Sequence, residues 1–291
     1  MRPHFFFIPA GATLSGAATR GAFDHPWRIA LVVAAAGVGW GVGQLLNDVL
    51  DVDADRVDAP NRATVRGLLP VGPTLSVALL LGVLVAVAVG VAAPAGIVLI
   101  PVAVLLLIGY NGAKRLPLAG NVAHGALIAV AAGFGFLATP ETASVAGAWP
   151  TLGYVAAVAA LYLQANYEKD RRGDALAGYR TLAHATGVRG SAALRGLCSI
   201  GVLWLAVPGV LRSDSGAWIA AFGAGLVALS TVWPLRFGTE AASLRSYPLA
   251  MHGAAAMLLA PVGHVSPLLA AAAVFVSVIL TERARRRHAN P

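Results

Sequence analysis

Residues 44–70 read QLLNDVLDVDADRVDAPNRATVRGLLP, and they follow directly on an uncharged apolar run that begins at residue 29. The stretch holds five of the thirteen acidic residues of the chain: Asp48, Asp51, Asp53, Asp55 and Asp58. On a helix, Asp48, Asp51 and Asp55 share one face, where like charges repel each other and lose hydration near a membrane. Such a cluster needs a neutralising partner, and Mg²⁺ is a usual partner for carboxylate oxygens. The pattern therefore predicts a metal site at the end of an apolar helix.

A second acidic cluster lies at residues 166–174, NYEKDRRGD, after another apolar run at residues 152–165. It places Asp170 and Asp174 four residues apart, so that both lie on one side of a helix. The two clusters together contain eight of the thirteen acidic residues. Two helix ends that carry carboxylates suggest two metal sites facing each other, which is the arrangement needed to hold a diphosphate.

The composition is that of a polytopic membrane protein. Hydrophobic residues make up 58% of the 291 residues and charged residues only 12%, against about 25% charged residues in soluble domains. The mean hydropathy is +0.74. The single cysteine excludes an intramolecular disulfide and a metal site built from cysteines. The net charge of +8 sits in short loops between apolar runs, so we expect a lipid bilayer and no nucleic acid as its partner.

The apolar runs predict one all-α domain over residues 1–291, with nine or ten transmembrane helices around a central cavity. No strand-type alternation is present. The first run could resemble the apolar centre of a signal peptide, but we interpret it as the first spanning helix. The final run is either one broken segment or two short helices divided at residues 263–267. The predicted spans are 5–20, 28–48, 73–92, 95–110, 121–139, 150–166, 193–211, 216–235 and 248–281.

The loops differ in positive charge, which predicts the orientation of the helices. One side carries most of the Lys and Arg residues, whereas the other carries only Arg20, Arg28 and Arg212. Because positively charged loops stay inside, we expect both acidic clusters on the cytoplasmic side of the plasma membrane.

Basic residues accompany both clusters and are candidates for binding a diphosphate. Two metal ions do not balance all the negative charge of a departing diphosphate, so Lys and Arg side chains would stabilise its oxygens. The alternative interpretation is that they only anchor the loops on the positive side of the membrane. The candidates are Arg62, Arg66, Lys114, Arg115, Lys169 and Arg172.

Three histidines, His124, His252 and His264, lie in apolar runs. They are either buried hydrogen-bonding groups or polar residues of an acceptor site, and the sequence leaves both open.

These motifs resemble those of the UbiA family of intramembrane prenyltransferases. The first family motif, Asn-Asp-x-x-Asp-x-x-x-Asp, is matched in full, and the second, Asp-x-x-x-Asp followed by Gly and Thr-Leu, is matched at residues 170–182. A connecting Tyr-x-x-x-Lys-Arg motif is similar at residues 110–115. The family often has Arg-Pro-Leu-Pro-x-Gly after the first motif, whereas residues 62–70 here read RATVRGLLP. This departure leaves both Arg62 and Arg66 as candidates for the arginine that contacts the diphosphate.

The resemblance implies a bundle of about nine helices that binds two Mg²⁺ ions and an isoprenyl diphosphate. It assigns Asn47, Asp48, Asp51 and Asp55 to one metal, and Asp170 and Asp174 to the other. Arg62 and Lys114 would contact the diphosphate, and Asn47 is a further candidate for binding it. All five of these aspartates are candidate catalytic residues.

The implied reaction is the ionisation of an allylic diphosphate and transfer of the prenyl group to a lipophilic acceptor, often an aromatic ring. A terpene cyclase would use the same motifs without an external acceptor. A relative that transfers phosphoribose to a lipid phosphate is a third option. An ion transporter would place its acidic residues at mid-helix, whereas these lie at helix ends beside basic loops.

Overall fold

The computed structural model describes residues 6–20, 23, 25–52, 55–56, 60, 62–139, 145–206, 210–211 and 213–289. Within these ranges the chain is all-helical, without strands, as predicted. Asp53 and Asp58 of the first acidic stretch lie outside the described residues.

The helices are α1 (Phe7–Ala18), α2 (Pro26–Leu50), α3 (Val71–Ala92), α4 (Leu99–Ala113), α5 (Ala119–Leu137), α6 (Trp149–Lys169), α7 (Arg171–Leu176), α8 (Leu182–Ala206), α9 (Asp214–Leu229), α10 (Val232–Phe237), α11 (Glu240–Leu259) and α12 (Pro267–Ala289).

Five segments of the described chain are long and apolar enough to cross a membrane, and three shorter apolar helices accompany them. Many of their side chains point outward, as on α3, where Leu79 is 72% exposed. Leucine so exposed on a long apolar helix fits contact with lipid. The predicted number of nine or ten spans stays a prediction.

Two helices begin well before their predicted starts. Helix α8 begins at Leu182, eleven residues before the predicted start of its apolar run, and it bends at Gly187, whose φ is +68°. Helix α11 begins at Glu240, before the predicted start at residue 248. Both added segments contain polar residues, which interrupt the apolar pattern of their helices. The predicted division of the last run is present: a 3₁₀ turn, Ala260–His264, separates α11 from α12.

Close packing joins the helices through small residues. A Cβ atom added to Gly16 of α1 would overlap the carbonyl oxygen of Ala132 on α5, and one added to Gly135 of α5 would overlap that of Thr13. Only glycine permits this backbone approach, as in other membrane bundles. Helix α6 lies at the centre, packed against α5, α8 and α11. This arrangement brings the ends of α2 and α6 to one end of the bundle.

Candidate functional site

A cavity of 370 Å³ opens between α2, α4, α5 and α6, with α1 and α3 each contributing to its wall. Its polar end collects side chains from both acidic clusters and from the loop before α5. The predicted site residues that line it are Asn47, Asp48, Asp51, Asp55, Arg62, Lys114, Lys169, Asp170 and Asp174. Away from this end the lining is mainly apolar and aromatic. We call the polar end the mouth of the cavity.

The first motif begins in the last turn of α2 and continues beyond it in helical register. The backbone N–H of Asp51 donates to the carbonyl oxygen of Asn47 at 2.8 Å, and that of Asp55 donates to the carbonyl oxygen of Asp51 at 2.9 Å. The four-residue spacing therefore keeps Asn47, Asp51 and Asp55 on one side of the chain. That side faces the cavity.

Asp51 is held by two donors from other parts of the chain. Lys114 Nζ lies 2.8 Å from Asp51 Oδ2, and the hydroxyl of Tyr179 donates to Asp51 Oδ1 at 2.6 Å. Burial, and then the hydrogen bond to the Asp51 carboxylate, raise the pKa of the Tyr179 hydroxyl. Tyr179 therefore stays protonated at neutral pH and remains a hydrogen-bond donor.

Arg62 bridges the other two aspartates of the first motif. Its guanidinium donates to Asp55 Oδ2 and lies 3.4 Å from Asp48 Oδ1. Asp55 is buried, so the pair is shielded from much of the screening that weakens surface ion pairs.

The second motif follows the end of α6. Lys169 Nζ contacts both carboxylate oxygens of Asp170, at 2.7 and 2.6 Å, and the N–H of Asp174 donates to the carbonyl oxygen of Asp170 at 3.0 Å. After this motif the N–H of Arg180 donates to the carbonyl oxygen of Lys114 at 2.9 Å. This hydrogen bond ties the loop of the second motif to the loop that carries Lys114.

Three of the predicted diphosphate-binding residues lie elsewhere. Arg66, Arg115 and Arg172 are exposed, and none of them lines the cavity. Of the two arginine candidates after the first motif, the cavity thus contains Arg62 and not Arg66.

Two hydrogen-bonding residues at the mouth were not predicted from the sequence. Asn166 lines the mouth and accepts a hydrogen bond from the Tyr247 hydroxyl at 2.7 Å. A signal for it was present, since Asn166-x-x-x-Asp170-x-x-x-Asp174 repeats the spacing of Asn47, Asp51 and Asp55. Tyr179 carried no such signal, because its contact with Asp51 joins residues 128 positions apart.

A second polar cluster lies behind the site, on the other side of α6. Glu168 and Arg195 form a buried ion pair with N–O distances of 3.0 and 2.9 Å. Ser191 donates to Glu168 at 3.0 Å, and Arg195 donates to Ser230. This cluster fixes α6 to α8 and to the end of α9, directly before the second motif.

The charges at the mouth fit a bound cation. Five carboxylates and three cationic side chains occur among the described lining residues, which leaves two negative charges without compensation. Carboxylate and amide oxygens are ligands that Mg²⁺ prefers. No group of three His, Cys, Asp or Glu side chains that could hold a metal is preassembled within the described chain, and Arg62, Lys114 and Lys169 each pair with a carboxylate there.

Comparisons with solved structures agree with this fold. A UbiA homologue from Aeropyrum pernix K1 matches with a TM-score of 0.73 at 16% identity, over 97% of this chain and 99% of that one. A UbiA homologue from Archaeoglobus fulgidus, bound to DMAPP and Mg²⁺, matches with a TM-score of 0.65 at 13% identity, over 91% of this chain and 97% of that one. A digeranylgeranylglyceryl phosphate synthase matches with a TM-score of 0.64 at 17% identity, over 89% of this chain and 93% of that one. A search among curated protein sequences finds no significant match.

The helical bundle and its acidic cavity define a class of multi-pass membrane proteins with a polar site at one end. The profile of the UbiA prenyltransferase family matches residues 6–240. The chain therefore belongs to the UbiA prenyltransferase family.

Proposed function

We propose that this protein transfers the prenyl group of an isoprenyl diphosphate to a lipophilic acceptor, with Mg²⁺ as its cofactor. The observation that carries the proposal is that both aspartate motifs and three cationic side chains meet at the mouth of one cavity whose deeper walls are mainly apolar. The charged mouth suits a diphosphate, and the apolar walls suit a prenyl chain. Family membership and the DMAPP and Mg²⁺ bound by the Archaeoglobus fulgidus homologue support the same assignment.

The oxygen donors are distributed over the two motifs. In this proposal Asn47, Asp48, Asp51 and Asp55 hold one metal ion, and Asp170 and Asp174 hold the other. When bound, Mg²⁺ stabilises the negative charge that develops on the leaving diphosphate.

The cationic side chains complete the binding of the diphosphate. Lys114 and Arg62 exchange their carboxylate partners for diphosphate oxygens and donate hydrogen bonds to them. Lys169 does the same from the second motif. The apolar walls exclude water, which keeps the ionised prenyl group from being hydrolysed.

We propose that residues 1–291 form one domain in the plasma membrane, with the aspartate motifs on the cytoplasmic side. The concentration of basic loops at the motif end of the helices supports this orientation.

Cyclisation without an external acceptor is the second candidate function. Trp40, Tyr110 and Tyr162 line the cavity below the mouth, and aromatic faces stabilise a carbocation. This feature serves a cyclase as well as a transferase.

Diphosphate release tests the proposal. Purified protein is incubated with Mg²⁺ and geranyl, farnesyl or geranylgeranyl diphosphate, with and without aromatic acceptors. A product that appears only with an acceptor supports a transferase, and a cyclic hydrocarbon or alcohol formed without one supports a cyclase.

Asp51→Ala and Asp174→Ala should abolish turnover in folded protein, and an active Asp51→Ala enzyme would contradict the assignment. Asp214→Ala, which changes an exposed acidic residue at the start of α9, is the matched control.

A further inference from the structure

Tyr179 contacts both aspartate motifs, one through its backbone and the other through its side chain. Its N–H donates to the carbonyl oxygen of Asp174 at 2.9 Å, and its hydroxyl donates to Asp51 Oδ1 at 2.6 Å. Tyr179 also lines the cavity. A residue that belongs to neither motif therefore connects the two motifs at the mouth, which indicates a role in how the site is assembled.

The turn that ends α7 determines where Tyr179 lies. The N–H groups of Gly178 and Tyr179 donate to carbonyl oxygens of α7 at 3.1 and 2.9 Å, which is the hydrogen-bond pattern of a Schellman turn. This turn needs a residue in the left-handed conformation, and Gly178 has a φ of +75°. The next residue, Arg180, donates its N–H to the carbonyl oxygen of Lys114 at 2.9 Å. Because the backbone is fixed before and after Tyr179, its side chain is positioned in advance.

The ring of Tyr179 contacts the lysine that pairs with Asp51. Lys114 Nζ lies 4.8 Å from the centroid of the Tyr179 ring and 5.0 Å from that of the Tyr110 ring, and Lys114 is only 6% exposed. The face of an aromatic ring attracts a cation. The ring and the hydroxyl of Tyr179 thus make separate contacts, and a substitution can remove one without the other.

The two donors to Asp51 differ in charge. Lys114 Nζ, which lies 2.8 Å from Asp51 Oδ2, is cationic, whereas the Tyr179 hydroxyl is neutral. A divalent cation repels an ammonium group on the same carboxylate, but it does not repel a neutral hydroxyl. An ionised carboxylate offers about four lone-pair sites, so Asp51 can bind a metal ion while Tyr179 keeps its hydrogen bond. Hydrogen bonds of this kind orient a carboxylate that binds a metal.

We propose that Tyr179 is a positioning residue that orients Asp51 as a metal ligand and holds the loop of the second motif against the first motif. The inference rests on the proposed function, in which Asp51 binds one of two metal ions. It goes further by assigning part of the metal affinity to a residue outside both motifs. Loss of such a hydrogen bond lowers metal affinity by about 10–100-fold in other metal sites.

Binding of Mn²⁺, a paramagnetic substitute for Mg²⁺, tests the role of the hydroxyl. Mn²⁺ is titrated into the full-length protein in phosphatidylcholine nanodiscs, together with geranyl, farnesyl or geranylgeranyl thiodiphosphate, and EPR measures the free ion. Nanodiscs without protein give the correction for Mn²⁺ held by the analogue or the lipid. Tyr179→Phe keeps the ring near Lys114 and removes the hydroxyl. It should weaken the binding of at least one Mn²⁺ ion by about tenfold or more.

The affinity for the thiodiphosphate at saturating Mn²⁺ separates positioning from a general loosening of the mouth. Because saturating metal compensates by mass action for a weaker metal site, this affinity should stay within about twofold in Tyr179→Phe. A loss of thiodiphosphate affinity as large as the loss of Mn²⁺ affinity would show that the whole mouth is disturbed, and it would overturn the positioning role.

Tyr154→Phe is the matched control. The Tyr154 hydroxyl donates to the carbonyl oxygen of Met257 at 2.6 Å, the same distance as from Tyr179 to Asp51, and Tyr154 is not among the described residues that line the cavity. This variant loses a buried hydrogen bond, so we expect a lower thermal stability and an unchanged Mn²⁺ affinity. Equal losses of Mn²⁺ affinity in Tyr154→Phe and Tyr179→Phe would contradict the inference.

The unaltered protein distinguishes this inference from the proposed function. If it binds no Mn²⁺ with any of the three analogues, the proposed function fails and the inference fails with it. If it binds Mn²⁺ and Tyr179→Phe binds the ion equally or more tightly, only the positioning role of Tyr179 is wrong.

Discussion

At the scale of single residues, the carboxylates of the mouth are organised by partners distant in the chain. Asp51 is the clearest case, since Lys114 and Tyr179 approach its two oxygens from different loops. The sequence predicted the carboxylates and Lys114, because both belong to motifs with a regular spacing. It could not predict Tyr179, whose position depends on how the loop after α7 folds back over the first motif.

Arg62 and Arg66 give a prediction at this scale. Arg62 lines the cavity and bridges Asp48 and Asp55, whereas Arg66 is exposed. Arg62→Gln should lower kcat/KM for the prenyl diphosphate by about 10²–10³-fold, because a donor to the leaving group is lost. Arg66→Gln should change it by less than about threefold, as for a screened surface charge.

Steady-state kinetics under saturating Mg²⁺ measures both variants. Equal losses in the two would mean that the diphosphate reaches beyond the cavity mouth, and a larger loss in Arg66→Gln would reverse the assignment.

At the scale of helices, hydropathy predicted the apolar parts well and the polar ends poorly. Helices α2 and α3 coincide closely with their predicted runs. Helices α8 and α11 begin earlier than predicted. Their first two turns carry polar residues such as His184 and Arg245, so a search for apolar runs does not include them. For α11 a local signal existed: Thr239 caps the helix by accepting from the N–H of Ala242 at 3.2 Å.

The Glu168–Arg195 pair gives a prediction at the scale of helix packing. Both side chains are almost fully buried, so that removing one leaves an uncompensated charge inside the bundle. Arg195→Met should lower the free energy of unfolding by about 3–5 kcal/mol, and Glu168→Met should do the same. Thermal unfolding in detergent measures the change.

The double variant Glu168→Met, Arg195→Met is the control for this pair. It removes both charges, and we expect it to be less destabilised than either single variant. Additive losses would show that the two residues act independently.

At the scale of the whole molecule, the described helices place the two motifs at one end of the bundle. Composition predicted a helical membrane protein, and this class is confirmed. The sequence could not show that α6 packs centrally or that small residues bring α1 against α5, because those contacts depend on which helix faces meet.

Orientation in the membrane gives the prediction at this scale. Arg180 precedes α8 at the motif end, and Asp214 begins α9 after the other end of α8. In a Cys198→Ser background, a membrane-impermeant maleimide applied to intact cells should label Asp214→Cys but not Arg180→Cys, because the positively charged side stays inside.

Permeabilised cells provide the control for this labelling, since both cysteines should then react. Labelling of Arg180→Cys and protection of Asp214→Cys in intact cells would place the motifs outside.

The ion pairs at the cavity mouth also have a thermodynamic consequence. Each of the three cationic side chains pairs with an aspartate, which leaves two of the five carboxylate charges of the mouth without a cation. In the proposed function, a divalent cation that takes one of the paired carboxylates as a ligand displaces its ammonium or guanidinium group, and the displaced group can then attract a diphosphate. Binding of either ligand would then favour binding of the other, and reciprocity requires the enhancement to be equal in both directions. The proposed function therefore predicts that cation and diphosphate bind cooperatively, each more tightly in the presence of the other.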